Sequence, residues 1–185
     1  MTWLDRFLRD WRMRVALRHL PAGARVLDIG TYDGLLLSKA GVVGVGIDPD
    51  LAVPAGSSAG TTLVHGSFPA DLDLAQAGAF DAATALAVIE HVPEQDLPAW
   101  SAALAGLVRP HGLVIITVPA PTVDHLLHVL MRLRLVAGMQ AHQHHGFVPA
   151  DVHQVFTAPT WRLARHRTFQ LGLNHLFVFA RTTAP

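Results

Sequence analysis

The stretch that most constrains this chain is Val26-Leu27-Asp28-Ile29-Gly30-Thr31-Tyr32-Asp33-Gly34. Val26, Leu27 and Ile29 supply the apolar side chains of a buried strand. Gly30 and Gly34 bracket a tight loop in which backbone can approach a ligand closely. Leu35, Leu36 and Leu37 then open a helix, with Asp33 in its first turn. A strand, loop and helix in this order begin a βαβ unit. Free backbone N–H groups are thereby placed at the carboxyl end of a parallel strand, where doubly wound sheets bind their ligands.

A second apolar run, Val42 to Ile47, ends in a carboxylate at Asp48, 18 positions beyond Gly30. An acidic side chain at about that separation is placed to accept hydrogen bonds from ribose hydroxyls. The pair therefore reads as a site for an adenosine-type nucleoside. A nicotinamide dinucleotide loop requires glycines at G-x-G-x-x-G. Those places hold Gly30, Tyr32 and Leu35, so one of three fits.

The bulk properties narrow the function classes. A chain of 185 residues suits one domain, residues 1–185, with a real core. The composition is 51% hydrophobic and 15% charged, globular rather than disordered. Fourteen basic residues balance fourteen acidic ones, so no overall field favours nucleic acid. The absence of cysteine excludes disulfides, thiolate metal sites and a cysteine nucleophile. No apolar run reaches the ~18 residues of a membrane span, and charges interrupt the N-terminus where a signal peptide would be apolar. The expected compartment is the cytoplasm.

Residues 2–20 read as one amphipathic helix, with Leu4, Phe7, Leu8, Trp11 and Val15 at helical spacing. Arg6, Arg9, Arg12, Arg14 and Arg18 accompany them. An edge helix with solvated arginines is the simpler reading, and contact with an acidic membrane surface is the sharper one. Residues 49–60, rich in Pro, Gly, Ser and Ala, predict a short or irregular crossover helix. Thr62 to His65 reads as a third strand, Phe80 to Leu86 as a fourth and Leu113 to Pro119 as a fifth. Arg109-Pro110-His111-Gly112 reads as a turn before the fifth. Pro93 opens a helix through Trp100 to Leu107. Residues 123–136 predict an apolar helix, followed by a histidine-rich loop at 141–147 and a short helix from Val148 to Phe156. Trp161 to Phe169 and Asn174 to Arg181 form a closing hairpin about Gly172. Strands alternating with helices imply an α/β domain with a mostly parallel sheet.

Asp-x-Gly-x-x-x-Gly after Val-Leu, Phe80-Asp81 leading to Glu90-His91-Val92, and Leu107-Val108-Arg109-Pro110-His111-Gly112-Leu113 running into Val118-Pro119 occur in this order. Together they resemble the class I S-adenosylmethionine-dependent methyltransferases, especially small bacterial ones of types 11 and 23. A more distant likeness is to the methyltransferases of ubiquinone biosynthesis. The likeness spans residues 20–181. It implies a Rossmann-like seven-stranded sheet of order 3-2-1-4-5-7-6, with the last strand antiparallel and helices on both faces. S-adenosylmethionine is the implied cofactor. Its implied neighbours are Asp28, Gly30, Thr31, Tyr32, Asp33, Gly34, Asp48, Pro49, Gly66, Ser67, Phe68, Leu86 and Ala87. Tyr32 stands where the family usually has a glycine, and Ser67 where it often has an aspartate near the adenine.

The implied reaction is an in-line displacement at the sulfonium methyl carbon. The protein must align the nucleophile and exclude water. A neutral hydroxyl acceptor also needs a base. The candidates are Glu90, His91 and the histidines at 142, 144 and 145, of which His145 is preferred. Quinol and small-RNA relatives carry a Glu-x-x-Glu-His metal motif, but Ala87 stands at its first position, so no metal is expected. Residues 123–147, apolar and then histidine-rich, suggest a lid over an aromatic or lipid-like small-molecule acceptor. Two other readings stay open, a non-catalytic nucleoside-binding module and a nicotinamide oxidoreductase.

Overall fold

The structure is a computed structural model, and it describes residues 3–58, 60–73, 78–120 and 148–183. The proposed lid at 123–147, with His142, His144 and His145, lies outside the described residues. The strands are β1 Arg25–Ile29, β2 Val43–Asp48, β3 Gly56–Ser58, β4 Thr61–His65, β5 Phe80–Leu86, β6 Val108–Pro119, β7 Trp161–Phe169 and β8 Asn174–Arg181. The helices are α1 Trp3–Leu17, α2 Leu35–Ala40, α3 Leu97–Leu107 and α4 Val152–Val155. One sheet contains all eight strands, in the order β3-β4-β2-β1-β5-β6-β8-β7.

The central pairings β1–β2, β1–β5, β2–β4 and β5–β6 are parallel. Strand β8 runs antiparallel to both β6 and β7. The expected order of seven is present, with one strand added at the edge. Among the described residues of segment 49–60 there is no crossover helix. The segment's glycine and serine side chains favour extended backbone over helix, and β3 pairs antiparallel with β4. The expected turn at 109–112 also lies inside a strand. Strand β6 begins at Val108, and its pairing with β5 slips between Phe80 and Ala82 to absorb those residues. His111 there adopts a left-handed φ of 63°.

Helices cover both faces of the sheet, which explains the near-continuous apolar strands. On one face Val26 packs against Met13 of α1 and against Leu36 and Leu37 of α2. Further along that face Val15 and Ala16 of α1 meet Ile115, Phe169, Leu176 and Val178. On the other face Leu27, Ile29, Val114, Ile116, Phe177 and Phe179 bury Trp100, Leu104 and Leu107 of α3 and Val152 of α4. The alternation within β1 therefore sends Asp28 to the α1 face, between two apolar neighbours directed the other way.

The junction of β1 and β2 is too close for side chains. Gly44 pairs with Val26, and a Cβ there would lie 1.9 Å from the Val26 carbonyl oxygen. Gly44→Ala should therefore destabilise the protein by about 1–3 kcal/mol, the usual range for overpacking. A urea unfolding midpoint equal to that of the parent would refute this.

Candidate active site at the carboxyl end of the sheet

The loop after β1 is held by backbone bonds. The Gly30 and Thr31 N–H groups both donate to the Ile47 carbonyl at the end of β2, at 2.9 and 3.3 Å. Gly30 has φ +76°, and a Cβ on it would lie 2.3 Å from Val88 Cγ2. Glycine is required here by both conformation and space. Tyr32 and Gly34 are also left-handed, with φ 54° and 71°. The Asp33 carboxylate receives the Leu35 N–H at 3.1 Å and so closes the start of α2.

The Asp48 carboxylate fixes the far side of the loop. Its Oδ2 accepts the Tyr32 N–H at 2.8 Å, and its Oδ1 accepts the Asp50 N–H at 2.7 Å. The Tyr32 carbonyl in turn accepts from Ala52. Pro49 lies in the exposed turn that follows. After β4, the Gly66 N–H donates to the Asp48 carbonyl and the Ser67 N–H to Asp71 Oδ2, at 3.1 and 2.7 Å. Asp71, not singled out in the sequence, thus sets a carboxylate four residues beyond Ser67. Phe68 is buried edge-on against Trp100.

A cavity of about 70 Å³ opens beside the glycine loop. Of the expected residues, Asp28, Gly30, Thr31, Tyr32, Asp33 and Leu86 line it. Gly34, Asp48, Pro49, Gly66, Ser67, Phe68 and Ala87 frame the same strand ends without lining it. A larger depression of about 420 Å³, walled by His111, Arg162 and Arg181, lies at the opposite end of the strands. No glycine loop meets that depression, so the smaller cavity is the better candidate despite its size.

The sequence reading missed one wall of the small cavity. Arg9, Arg12 and Met13 of α1 complete it. Arg9 and Arg12 are therefore not the solvated arginines of an edge helix. Arg9 forms an ion pair with Asp33 at 2.9 Å. The Nε atoms of Arg9 and Arg12 are buried and make no hydrogen bond. Helical spacing places these two residues one turn apart, but only the fold shows which carboxylates lie beneath them.

Two buried carboxyl groups adjoin the loop. Asp28 receives the Thr84 hydroxyl at 2.6 Å, across the β1–β5 pairing. Burial pushes its pKa up to about 6, although the Thr84 bond opposes the rise. The nearby buried Thr31 hydroxyl also opposes the rise. Glu90 lies in a single 3-10 turn, Ile89–His91, at the mouth of β5. It is 2% exposed, and burial pushes it up to about 7. Its own backbone N–H and then the Arg12 charge act in the opposite direction, while Oε2 has no hydrogen bond. His91 of the same turn is exposed. Among the described residues, no three His, Asp or Glu side chains converge as a metal set.

This architecture is shared with known proteins. The model of a methyltransferase domain family matches residues 2–168. The ubiquinone biosynthesis O-methyltransferase of Xanthomonas axonopodis pv. citri (strain 306) is 36% identical over 112 residues. That match covers 56% of this chain and 46% of the relative, so the chain spans less than half of the relative's length. In fold, the 1,6-didemethyltoxoflavin-N1-methyltransferase of Burkholderia thailandensis, solved with 1,6-didemethyltoxoflavin and S-adenosylhomocysteine, superposes with a TM-score of 0.68. It is 20% identical, over 98% of this chain and 81% of that one. A putative methyltransferase of Haloferax volcanii, solved with the Trm112 activator, gives 0.70 at 14% identity, over 98% and 94% of the two chains. The match to the family model covers most of the chain, and the chain belongs to the methyltransferase domain family.

Proposed function

We propose that the protein transfers a methyl group from S-adenosylmethionine to a small-molecule acceptor. The observation that carries this reading is the mixed charge of the loop cavity. Asp28 and Asp33 line it together with Arg9 and Arg12, and Arg9 is already paired with Asp33. An amino acid zwitterion has one cation and one anion to place. The methionine end of the cofactor fits such a cavity, with its ammonium toward Asp28 and its carboxylate toward the buried Arg12 Nε. Asp48 is the ribose acceptor, and Gly30 leaves room for close backbone approach. Asp71 lies beside the turn expected to meet the adenine. When bound, the cofactor supplies an activated methyl group on a sulfonium centre.

The nicotinamide alternative fits less well. A dinucleotide would put its pyrophosphate at the start of α2. That position is occupied by the Asp33 carboxylate, which would repel it. A non-catalytic binding module shares every feature of the cofactor side and is separated only by turnover. The names of the relatives set oxygen and ring nitrogen as the first acceptor atoms to try. The direct experiment incubates the purified protein and labelled S-adenosylmethionine with a metabolite pool, and looks for a product heavier by one methyl. Cofactor binding without any such product would favour the binding module.

On the acceptor side the chain offers Glu90 and His91, with His145 outside the described residues. Glu90, with its pKa near 7, can hold or release a proton at neutral pH. As a base it would make turnover rise as pH increases through about 7. Glu90→Gln should remove that step and leave the affinity for S-adenosylhomocysteine nearly unchanged. The same substitution has a stability signature. The folded-state pKa is raised, so the unfolded chain releases this proton first. Its contribution to stability is therefore full below the ordinary carboxyl range and is lost as pH rises through about 7. At pH ~8, Glu90→Gln should gain up to about 3 kcal/mol, a gain that vanishes by pH ~4. A gain in stability with an unshifted rate profile would leave Glu90 a structural role only.

Asp48→Ala should weaken S-adenosylhomocysteine binding by ~1.5–3 kcal/mol, because it removes a charged acceptor and frees two backbone donors. Calorimetry on Asp48→Ala and Arg12→Gln tests both ends of the assigned cofactor. Unchanged affinity in both would leave the cavity without this ligand.

A further inference from the structure

The chain is neutral overall, yet its charge is strongly segregated. Residues 3–19 and 161–169 hold eight of the fourteen basic side chains and two of the fourteen acidic ones, Asp5 and Asp10. The fold brings these two segments together. Phe169 at the end of β7 shares a core with Val15 and Ala16 of α1. The Gln170 side chain donates to the Leu8 carbonyl at 2.8 Å. His19, just past α1, is held below its usual range first by burial and then by the charges of Arg165, Arg167 and Arg18. Among the described residues the ion pairs are Arg9–Asp33, Lys39–Asp10 and Arg109–Asp81. Arg6, Arg14, Arg18, Arg165 and Arg167 take part in none of them.

The same side carries the most exposed large apolar residues in the described structure. Trp3 is 67% exposed, Phe7 52% and Leu171 96%. Trp3 and Phe7 lie one turn apart on α1, with exposed Arg14 on the same helix and exposed Arg18 just past its end. Leu171 is the tip of the β7–β8 turn. Bonds from the Gly172 N–H to the Phe169 carbonyl and from the Leu173 N–H to the Gln170 carbonyl close that turn, so Leu171 is held outward. Apolar anchors beside unpaired arginines are the composition of a helix that lies in a membrane interface. Among the described residues no helix is long and apolar enough to cross a membrane.

We propose that α1, the β7–β8 turn and the arginines of β7 form a docking surface for an anionic lipid bilayer. Trp3, Phe7 and Leu171 enter the headgroup region, and Arg14, Arg18, Arg165 and Arg167 face the lipid phosphates. Leu171, the most exposed of the three anchors, is aliphatic and offers no π face on which a base could stack, which favours a bilayer over a nucleic acid here. Neither element alone is sufficient, because marginal apolar anchoring needs a basic patch as its second signal. The surface stands independently of the methyl-transfer reading.

The test mixes the full chain with phosphatidylcholine vesicles and with vesicles that also contain phosphatidylglycerol. Co-sedimentation should occur with the second and not with the first, and should weaken as salt is raised. Arg165→Gln and Arg167→Gln should each lower the partition about fivefold. Trp3→Ser with Leu171→Ser should lower it further at any salt concentration. The Arg165, Trp3 and Leu171 variants should keep the parental unfolding midpoint, since these side chains are exposed, and the half-buried Arg167 is checked against the same midpoint. Equal partition onto both vesicles, or none at low salt, would overturn the proposal. So would a dimer in equilibrium sedimentation that Leu171→Ser dissolves, because the patch would then belong to a second copy of the chain.

Discussion

The Asp48 carboxylate is the tie on which the rest of the site depends. By taking the N–H groups of Tyr32 and Asp50, it joins the loop after β1 to the end of β2. Charge-assisted bonds of this kind are roughly twice as strong as neutral ones. The tie also explains how a tyrosine stands where the resembled motif usually has a glycine. The loop needs a left-handed residue at this position, and a non-glycine residue there costs about 1–2 kcal/mol. Tyr32 takes that conformation with its N–H on Asp48, its carbonyl on Ala52 and its ring partly in solvent. The departure from the family pattern leaves the hydrogen-bonded loop intact.

The parts of the fold legible in the sequence were those with a strong local signal. Apolar strand runs, the Gly30–Gly34 loop and the carboxylate ending β2 each obey short-range rules, whereas the strand order came from the family resemblance and not from any local signal. Strand β3 was not legible, because Gly56, Ser57 and Ser58 have no apolar alternation. They pair only because β4 offers them an open edge. The 109–112 stretch misled for a related reason. Proline and glycine mark a turn locally, yet here the break is absorbed as a slip within β6.

The site was legible to the extent that backbone alone builds it. Gly30 and Asp48 could be read because their spacing follows from a βαβ crossing, and Asp28 because the family motif carries it. Arg9 and Arg12 could not be, because a helical wheel reports which residues share a face and not what that face meets. Asp71 was hidden by the search for an acid at Ser67 itself. Its carboxylate reaches back four residues to the same turn. Glu90 was singled out in the sequence, but its raised pKa depends on burial that no short sequence window reveals.

Helix α1 is charged on more than one side, and this decides how its sequence should be understood. A helix packed only for stability would bury an apolar stripe and leave its arginines in water. Here Met13, Val15 and Ala16 are buried in the core, Arg9 and Arg12 face the loop cavity, and Arg14 and Arg18 face outward. Arginine keeps its charge when partly buried, and its planar donors match carboxylates. Lysine in the inner positions would lose its proton more readily. The inner arginines also offset a local excess of carboxyl groups, since Asp28, Asp33 and Glu90 adjoin one loop. Without them the raised pKa of Glu90 would rise further, because the Arg12 charge is one of the forces holding it down. The helix thus supplies one wall of the cavity and a charge that partly opposes the rise in Glu90's pKa, which burial causes.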